Sequence, residues 1–346
     1  MQTKARWFQK WCSKKRVDSV LTIGISLIVA FLSGLLYVRW TVDISACQTD
    51  QIELILEEKS PDEPAYLYMP GKGRHGNLMF EYAAAFCIAK TQNRTLIVSP
   101  KFNAFLGKAF HLSALEPQNF ENLDTSKFVN LNQKPRCCSY DHRLATLPRA
   151  DITLHGLFHS WLYFEPCKDD IKQEFTFNSS LLRQVDKYLE SATSKRGWKT
   201  PNKDLVYIGL HVRRGDRGQV LPVHALPHGD ANADLGFFQE AMRFYDEEFK
   251  DKKVIYVVVS DNFQWPLSMI DHPKAIIVRH RPEEFHMALL SRCNHSIMSV
   301  GSIGWWTSWL AGGRVVYYNG WPNPYSNVSH MYRLNQYYYP RWIGMS

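Results

Sequence analysis

The second half of the chain alternates between two hydrophobic rhythms. LVYIGLHV, KVIYVVVSD, AIIVRH, HSIMSV and VVYYN are short apolar runs, whereas ADLGFFQEAMRFYDEEF, EEFHMALLSRC and GWWTSWLAGG repeat apolar positions at helical spacing. Runs rich in Val and Ile without polar alternation predict strands covered on both faces, and so a parallel sheet. Gly312 and Gly313 supply the stop for the last helix. The first half is less regular. AYLYMP, TLIVSP and DITLHGLF predict strands, DDIKQEFTF a helical turn, and LMFEYAAAFCIAK a helix in which Leu78, Tyr82, Ala85, Phe86 and Ala89 recur on one side. About 280 residues exceed one usual core, so two Rossmann-like domains are expected, 65–200 and 201–346. The polar stretch Glu190 to Asp204 serves as their linker. In such α/β folds ligands bind beyond the carboxyl ends of the strands.

Upstream, Val20 to Val38 carries no charge over 19 residues. As a helix it is long enough to cross a ~30 Å hydrocarbon layer. Residues 1–19 form a basic tail that belongs on the cytosolic side, and 39–64 an acidic, proline-ended stem. The run exceeds an ordinary cleaved signal, although Ala30 and Ser33 keep cleavage open. The expectation is a single-span type II membrane protein.

This topology changes the meaning of the charge. Six of the 41 basic residues lie among the first sixteen, leaving 35 bases against 33 acids elsewhere. The net +8 therefore reports orientation in a membrane and argues for no nucleic-acid partner. Cys47, Cys87, Cys137, Cys138, Cys167 and Cys293 would face an oxidising lumen, with Cys12 cytosolic. Six cysteines allow 15 complete pairings; Cys87, in an apolar helical run, is at least as well read as a buried free thiol. Asn93, Asn178, Asn294 and Asn327 stand in glycosylation triplets.

Candidate chemistry gathers at strand ends. GKGRHG has the spacing of a dinucleotide fingerprint, but the next strand ends in Ser99, Pro100 and Lys101 without the required carboxylate. That argues against a nicotinamide enzyme and leaves Arg74 and Asn77 at a helix start suited to an anion. LVYIGLHV delivers His211, Arg213, Arg214 and Asp216 to one point. Alternation puts His211 and Arg213 on one side, with Arg214 and Asp216 on the other or turned outward. Arginine's planar fork matches phosphate oxygens; an Arg–Asp pair pinning a loop is the structural alternative. The embedded RGD hangs on a buried strand and fits poorly with adhesion. VGSIGWW offers Gly301, Ser302 and Gly304 at a helix start. Trp305, Trp306 and Trp309 read first as packing. No D-x-D or C-x-x-C spacing points to a metal.

Four ordered segments resemble the galactoside α-1,2-fucosyltransferases: GRHGNLMFEYAAAFCIAK, GLFHSWLYFEPCKDDIKQEFTF, HVRRGD and ALLSRCNHSIMSVGSIGWWTSWLAGG, spanning Tyr66 to Trp321. The resemblance implies a Golgi type II enzyme of GT-B-like fold, with two Rossmann-like domains behind a membrane helix and stem. It would transfer L-fucose from GDP-fucose to the 2-hydroxyl of a terminal β-galactose with inversion, without an obligatory metal or other cofactor. Carried over by motif, His211, Arg213, Arg214 and Asp216 line the diphosphate, Asn77 approaches from the first domain, and Ser302 and Gly304 bind through the last motif; Arg74 and Asp261 complete the donor site. Arg213 is the expected stabiliser of the leaving phosphate. Asp216 is the first choice of proton acceptor, ahead of Glu81 and Asp261. Asp216 orienting Arg214, or the leaving phosphate taking the proton, remain open. Three departures stand out: Leu78 replaces a Gln, Arg217 an aromatic, and His286 the Asp that would hold guanine, so Glu283 or Glu284 is expected to substitute. A different glycan acceptor, or a non-catalytic glycan-binding relative, is the competing reading.

Overall fold

Within the expected membrane span, the described backbone is extended. In the computed structural model, which describes residues 25–31, 34–40 and 59–346 apart from 121–122, 136, 200–201, 216–231 and 327–328, Ile25–Phe31 (β1) pairs antiparallel with Gly34–Trp40 (β2), Ile25 opposite Trp40. A hairpin pairs the backbone groups that face each other across the strands, and Ile, Val and Tyr favour the pleat. Among the described residues no helix is long and apolar enough to cross a membrane.

The remaining apolar runs close into two parallel sheets within one compact unit, Leu56–Ser346. The first sheet is built from Tyr66–Met69 (β3), Thr95–Val98 (β4), Val129–Asn132 (β5) and Ile152–His155 (β6), in the order β4-β3-β6-β5. Around it run helices His75–Thr91 (α1), Pro100–Leu106 (α2), Lys168–Glu174 (α3) and Ser179–Ser194 (α4). The last of these corrects the expected linker, whose first five residues are helical. Leu181, Val185, Leu189 and Ala192 form a buried stripe that the polar composition hides.

The second sheet holds Leu205–Val212 (β7), Lys253–Ser260 (β8), Ala275–Ile277 (β9), His295–Met298 (β10), Val315–Tyr318 (β11) and Ile343–Met345 (β12). Their order is β12-β11-β10-β7-β8-β9, parallel throughout. Leu235–Glu248 (α5), Gln264–Met269 (α6), Glu283–Ser291 (α7), Ser302–Ala311 (α8) and Leu334–Tyr337 (α9) complete it. Leu210, Val212, Phe237, Phe238, Tyr245, Tyr256, Val258 and Ile297 are buried together. The two buried tyrosines keep their hydroxyls bonded, Tyr245 to the carbonyls of Ser296 and Arg314 and Tyr256 to that of Met242.

An aromatic seam joins the sheets. Phe80 of α1 lies 4.8 and 4.9 Å from the rings of Trp305 and Trp306 in α8. Trp305 donates to the Tyr337 carbonyl at 2.8 Å. These tryptophans are packing, as expected. Cys87 is no free thiol: it bridges to Cys167, tying α1 to the turn before α3. Cys137 and Cys138 pair as neighbours, and Cys293 is buried and free. Cys12 and Cys47 lie outside the described residues.

Candidate active site where two helix starts meet

The carboxyl end of β7 is held in shape by the strands beside it. Arg213 N–H donates to Ser299 Oγ at 2.8 Å, beyond β10. Asp261, just after β8, accepts from the Arg214 and Gly215 amides at 2.8 and 3.0 Å. Its carboxylate also stands 3.2 Å from the Arg213 guanidinium. The turn after the strand bends with Gly215 at φ +82°, a conformation glycine adopts without strain.

The start of α8 closes on this turn. Gly301, at φ +95°, caps it without a side-chain bond, so its first amides lack intrahelical acceptors. A Cβ at Gly304 would lie 2.6 Å from His211 Nδ1, so the imidazole sits against the first turn because residue 304 has no side chain. His211 is buried and its Nδ1 has no bonding partner. Burial, with Arg213 adding repulsion, pulls its pKa down to about 4, so it is neutral at pH 7.

From the other sheet, the start of α1 arrives at the same place. Ser302 Oγ donates to Asn77 Oδ1 at 3.1 Å. Arg74 caps α1, again without a side-chain cap bond. The loop before it turns through Gly71 (φ +77°) and Gly73 (φ +85°). Glu81, one turn beyond Asn77, accepts from the Lys72 amide at 2.7 Å and fixes that loop from beneath. It is 1% exposed, its second oxygen has no partner, and burial pushes its pKa up to about 8.

A third edge comes from α7. His75 and Glu283 stand 3.3 Å apart across the sheets, and the imidazole holds Glu283 below the usual carboxylate range. His286 lies on the same helix, with Nε2 buried and unpartnered and its pKa lowered by burial.

His211, Arg213, Asn77, Arg74, Ser302, Gly304 and His286 therefore belong to one locality. Arg214 does not. Its guanidinium lies 4.0 Å over the Trp265 ring and donates to the Ala233 carbonyl at 3.0 Å, buried on the opposite side. Strand alternation sends residue 214 away from residue 213. Asp261 is likewise an organiser, its carboxylate engaged by two amides and an arginine. Asp216 lies outside the described residues.

Of the sequons, Asn93 and Asn294 are exposed. Asn178 is half-buried and its amide donates to the Lys108 carbonyl, while Asn327 lies outside the described residues. His75, Ser299 and Trp265 were not legible as site residues; Ser299 meets Arg213 across 86 positions. His75, beside Arg74 in GRHGN, offered at least a signal by position. A cavity of about 710 Å³ runs along α5 past Met242, Asp246 and Met269 and includes none of the site residues. Its cations, Arg243 and Lys250, stand among the carboxylates of Asp246, Glu247 and Asp271, and the chemistry is placed at the helix starts. A ligand-type cluster, Cys137, Cys138 and His159, sits elsewhere, and its cysteines are bonded to each other.

With this geometry established, comparison with known proteins decides the family. The model of "Glycosyl transferase family 11" matches residues 49–346. The chain belongs to glycosyl transferase family 11. A galactoside alpha-(1,2)-fucosyltransferase 1 of Mus musculus is 30% identical over 297 residues, 84% of this chain and 75% of that protein. Its Bos taurus counterpart is 27% identical, covering 80% and 74%. Among solved structures, a NodZ alpha-1,6-fucosyltransferase soaked with GDP-fucose aligns at a TM-score of 0.50 with 16% identity, over 74% of this chain and 96% of that one. That likeness shows the fold alone; the motif resemblance is borne out by the family match.

Glu81 gives this family 11 site a measurable pH signature. Its folded pKa is raised from 4.5 to about 8. Its contribution to stability is therefore complete below about pH 4.5 and is lost as pH rises through 8. Glu81→Gln keeps the acceptor for Lys72 and cannot ionise. Its melting temperature should match wild type near pH 5 and exceed it by a few degrees at pH 8; a constant difference across that range would refute a buried, protonated Glu81.

Proposed function

We propose that this chain is an inverting galactoside α-1,2-fucosyltransferase, moving L-fucose from GDP-fucose to the 2-hydroxyl of a terminal β-galactose. The observation that carries the reading is the meeting of two uncapped helix starts, α1 and α8, beside Arg213. Oriented amides and a guanidinium aimed at one point suit a group that becomes more negative during reaction. A departing diphosphate is such a group. The mouse and cattle relatives are fucosyltransferases by name, and the NodZ structure was soaked with GDP-fucose. In this reading the first sheet is the acceptor side and the second the donor side of a GT-B-like enzyme.

Arg213 grips the β-phosphate while positive charge develops on the fucosyl carbon. Asp261 keeps the guanidinium aimed before donor arrives. Neutral His211, pressed on Gly304, contributes a hydrogen bond rather than a charge. Asp216 is assigned the proton of the acceptor hydroxyl by its place in HVRRGD. Asp261 is committed to two amides, and Glu81 lies beneath the loop. Arginine and helix amides supply the neutralisation that a metal gives elsewhere, so transfer without added metal belongs to the proposal. The wild-type chain with GDP-fucose and a β-galactoside array should form α-1,2-linked product in the presence of EDTA. Arg213→Lys should lower kcat by a hundredfold or more with an unchanged circular-dichroism spectrum, since an ammonium cannot reproduce the fork. A manganese requirement would remove the metal-free step, and near-wild-type turnover by the folded variant would remove Arg213.

Glu283 and His286 mark the guanine end of the donor site. Guanine presents N1–H and an amino group, and a carboxylate accepts from both. His286→Asp should therefore tighten GDP binding, and His286→Ala should weaken it by about 1 kcal/mol. Indistinguishable affinities by calorimetry would place guanine elsewhere.

We further propose a Golgi, single-span type II topology, in which a bilayer, where a lone hairpin would leave its outer backbone edges unpaired, makes the run helical in place of the β1–β2 hairpin. Its support is the uncharged Val20–Val38 run behind a basic tail, with exposed sequons at Asn93 and Asn294 and the Cys87–Cys167 bridge downstream. Glycosidase treatment of the expressed chain should lower its apparent mass; an unshifted band would count against a lumenal catalytic unit.

A further inference from the structure

One side chain beyond the diphosphate locality is presented to solvent in a way folding alone does not require. Tyr325 is 97% exposed, against 45% for Leu334, the next most exposed large apolar residue among those described. Its segment is nevertheless anchored. Trp321 is buried, with its ring 4.6 Å from Tyr332 and 5.5 Å from Tyr337. Asn323 is buried too. Its Oδ1 accepts from Tyr325 N–H at 3.1 Å, and its carbonyl accepts from the Ser326 amide and hydroxyl at 2.9 and 2.7 Å. Two buried residues and a side-chain-closed turn thus hold the ring outward.

The place of this turn is set by topology. It follows β11, which runs parallel to β10, and β10 runs parallel to β7. The carboxyl ends of β7, β10 and β11 lead respectively to Arg213, to Gly301 and Ser302, and to the Tyr325 turn. At the spacing of neighbouring strands, the exit of β11 is about 10 Å from that of β7. Further along, the Arg333 amide donates to the Cys138 carbonyl, and Gln336 Oε1 accepts from the Tyr140 amide at 2.9 Å. The segment therefore reaches from the second sheet to the loop that follows β5 in the first.

A lone ring between Pro324 and Ser326 is too small for a protein-docking patch, which needs several hundred Å² of contiguous apolar surface. It matches a smaller partner. The C–H face of a pyranose lies against the negative face of an aromatic ring while its hydroxyls stay in water. We propose that Tyr325 is an acceptor subsite: a stacking platform for the sugar that carries the reacting galactose. The proposal rests on the fucosyl-transfer reading, and it assigns acceptor length preference to the segment after β11.

The test compares two acceptors, methyl β-galactoside and a β-galactosyl disaccharide, using the full chain in detergent with GDP-fucose. Tyr325→Ala should raise KM for the disaccharide roughly fivefold, the size of one aromatic stacking contact. KM for methyl β-galactoside and for GDP-fucose should stay unchanged, and Tyr325→Trp should restore disaccharide KM. Wild-type transfer with an unaltered disaccharide KM in Tyr325→Ala overturns the platform alone. An equal rise in donor KM overturns it as well, because the ring would then be supporting the fold. A wild-type chain that fucosylates neither acceptor overturns the reaction on which the platform depends.

Discussion

Two helices from different sheets can begin at the same point only because residue 76 has no side chain. A Cβ on Gly76 would lie 2.5 Å from Ser302 Oγ and 2.8 Å from the Ile303 amide nitrogen, distances no packed structure tolerates. The approach of α1 to α8 is in turn secured by the Ser302–Asn77 hydrogen bond and by Phe80 wedged against Trp305 and Trp306. Everything that makes the locality chemically distinctive follows from this contact. It brings two partial positive helix ends to one side of Arg213.

Such a concentration of positive potential needs organisation more than it needs strength. The Arg213–Asp261 pair is partly exposed and screened, so it contributes at most about 1 kcal/mol of stability. Its value lies in orientation, because the same carboxylate fixes the turn through two amides. His211 follows the opposite logic. Buried against an added-atom distance of 2.6 Å at Gly304, it is kept uncharged and so adds no repulsion to the arginine beside it. Glu283, 3.3 Å from His75, places a carboxylate at the far edge that can change partner without being created.

The sequence by itself determined the strand and helix rhythm of the second sheet, because Val- and Ile-rich runs and 3.6-residue spacing are local properties. It determined that Trp305 and Trp306 are packing, that Gly312 ends α8, and which side of β7 carries Arg213. The motif order from Gly73 to Gly313 determined the family. It decided less where local composition has two solutions. The Val20–Val38 run suits a helix or a pair of strands, and the polar Glu190–Ser194 stretch conceals the buried stripe of α4.

Only the tertiary structure decided which motif residues share a point. Arg214 looks equivalent to Arg213 in sequence, yet Trp265, 51 positions away, draws it into the scaffold. Cys87 looks like a core thiol until the turn at Cys167 is laid beside it. Ser299, His75 and the exposed ring of Tyr325 carry no local signature, since their roles are made by contacts across the sheets or by a strand's place in an order. Sequence periodicity reports which face of an element is covered. What covers it, and which charges meet there, is a property of long-range packing.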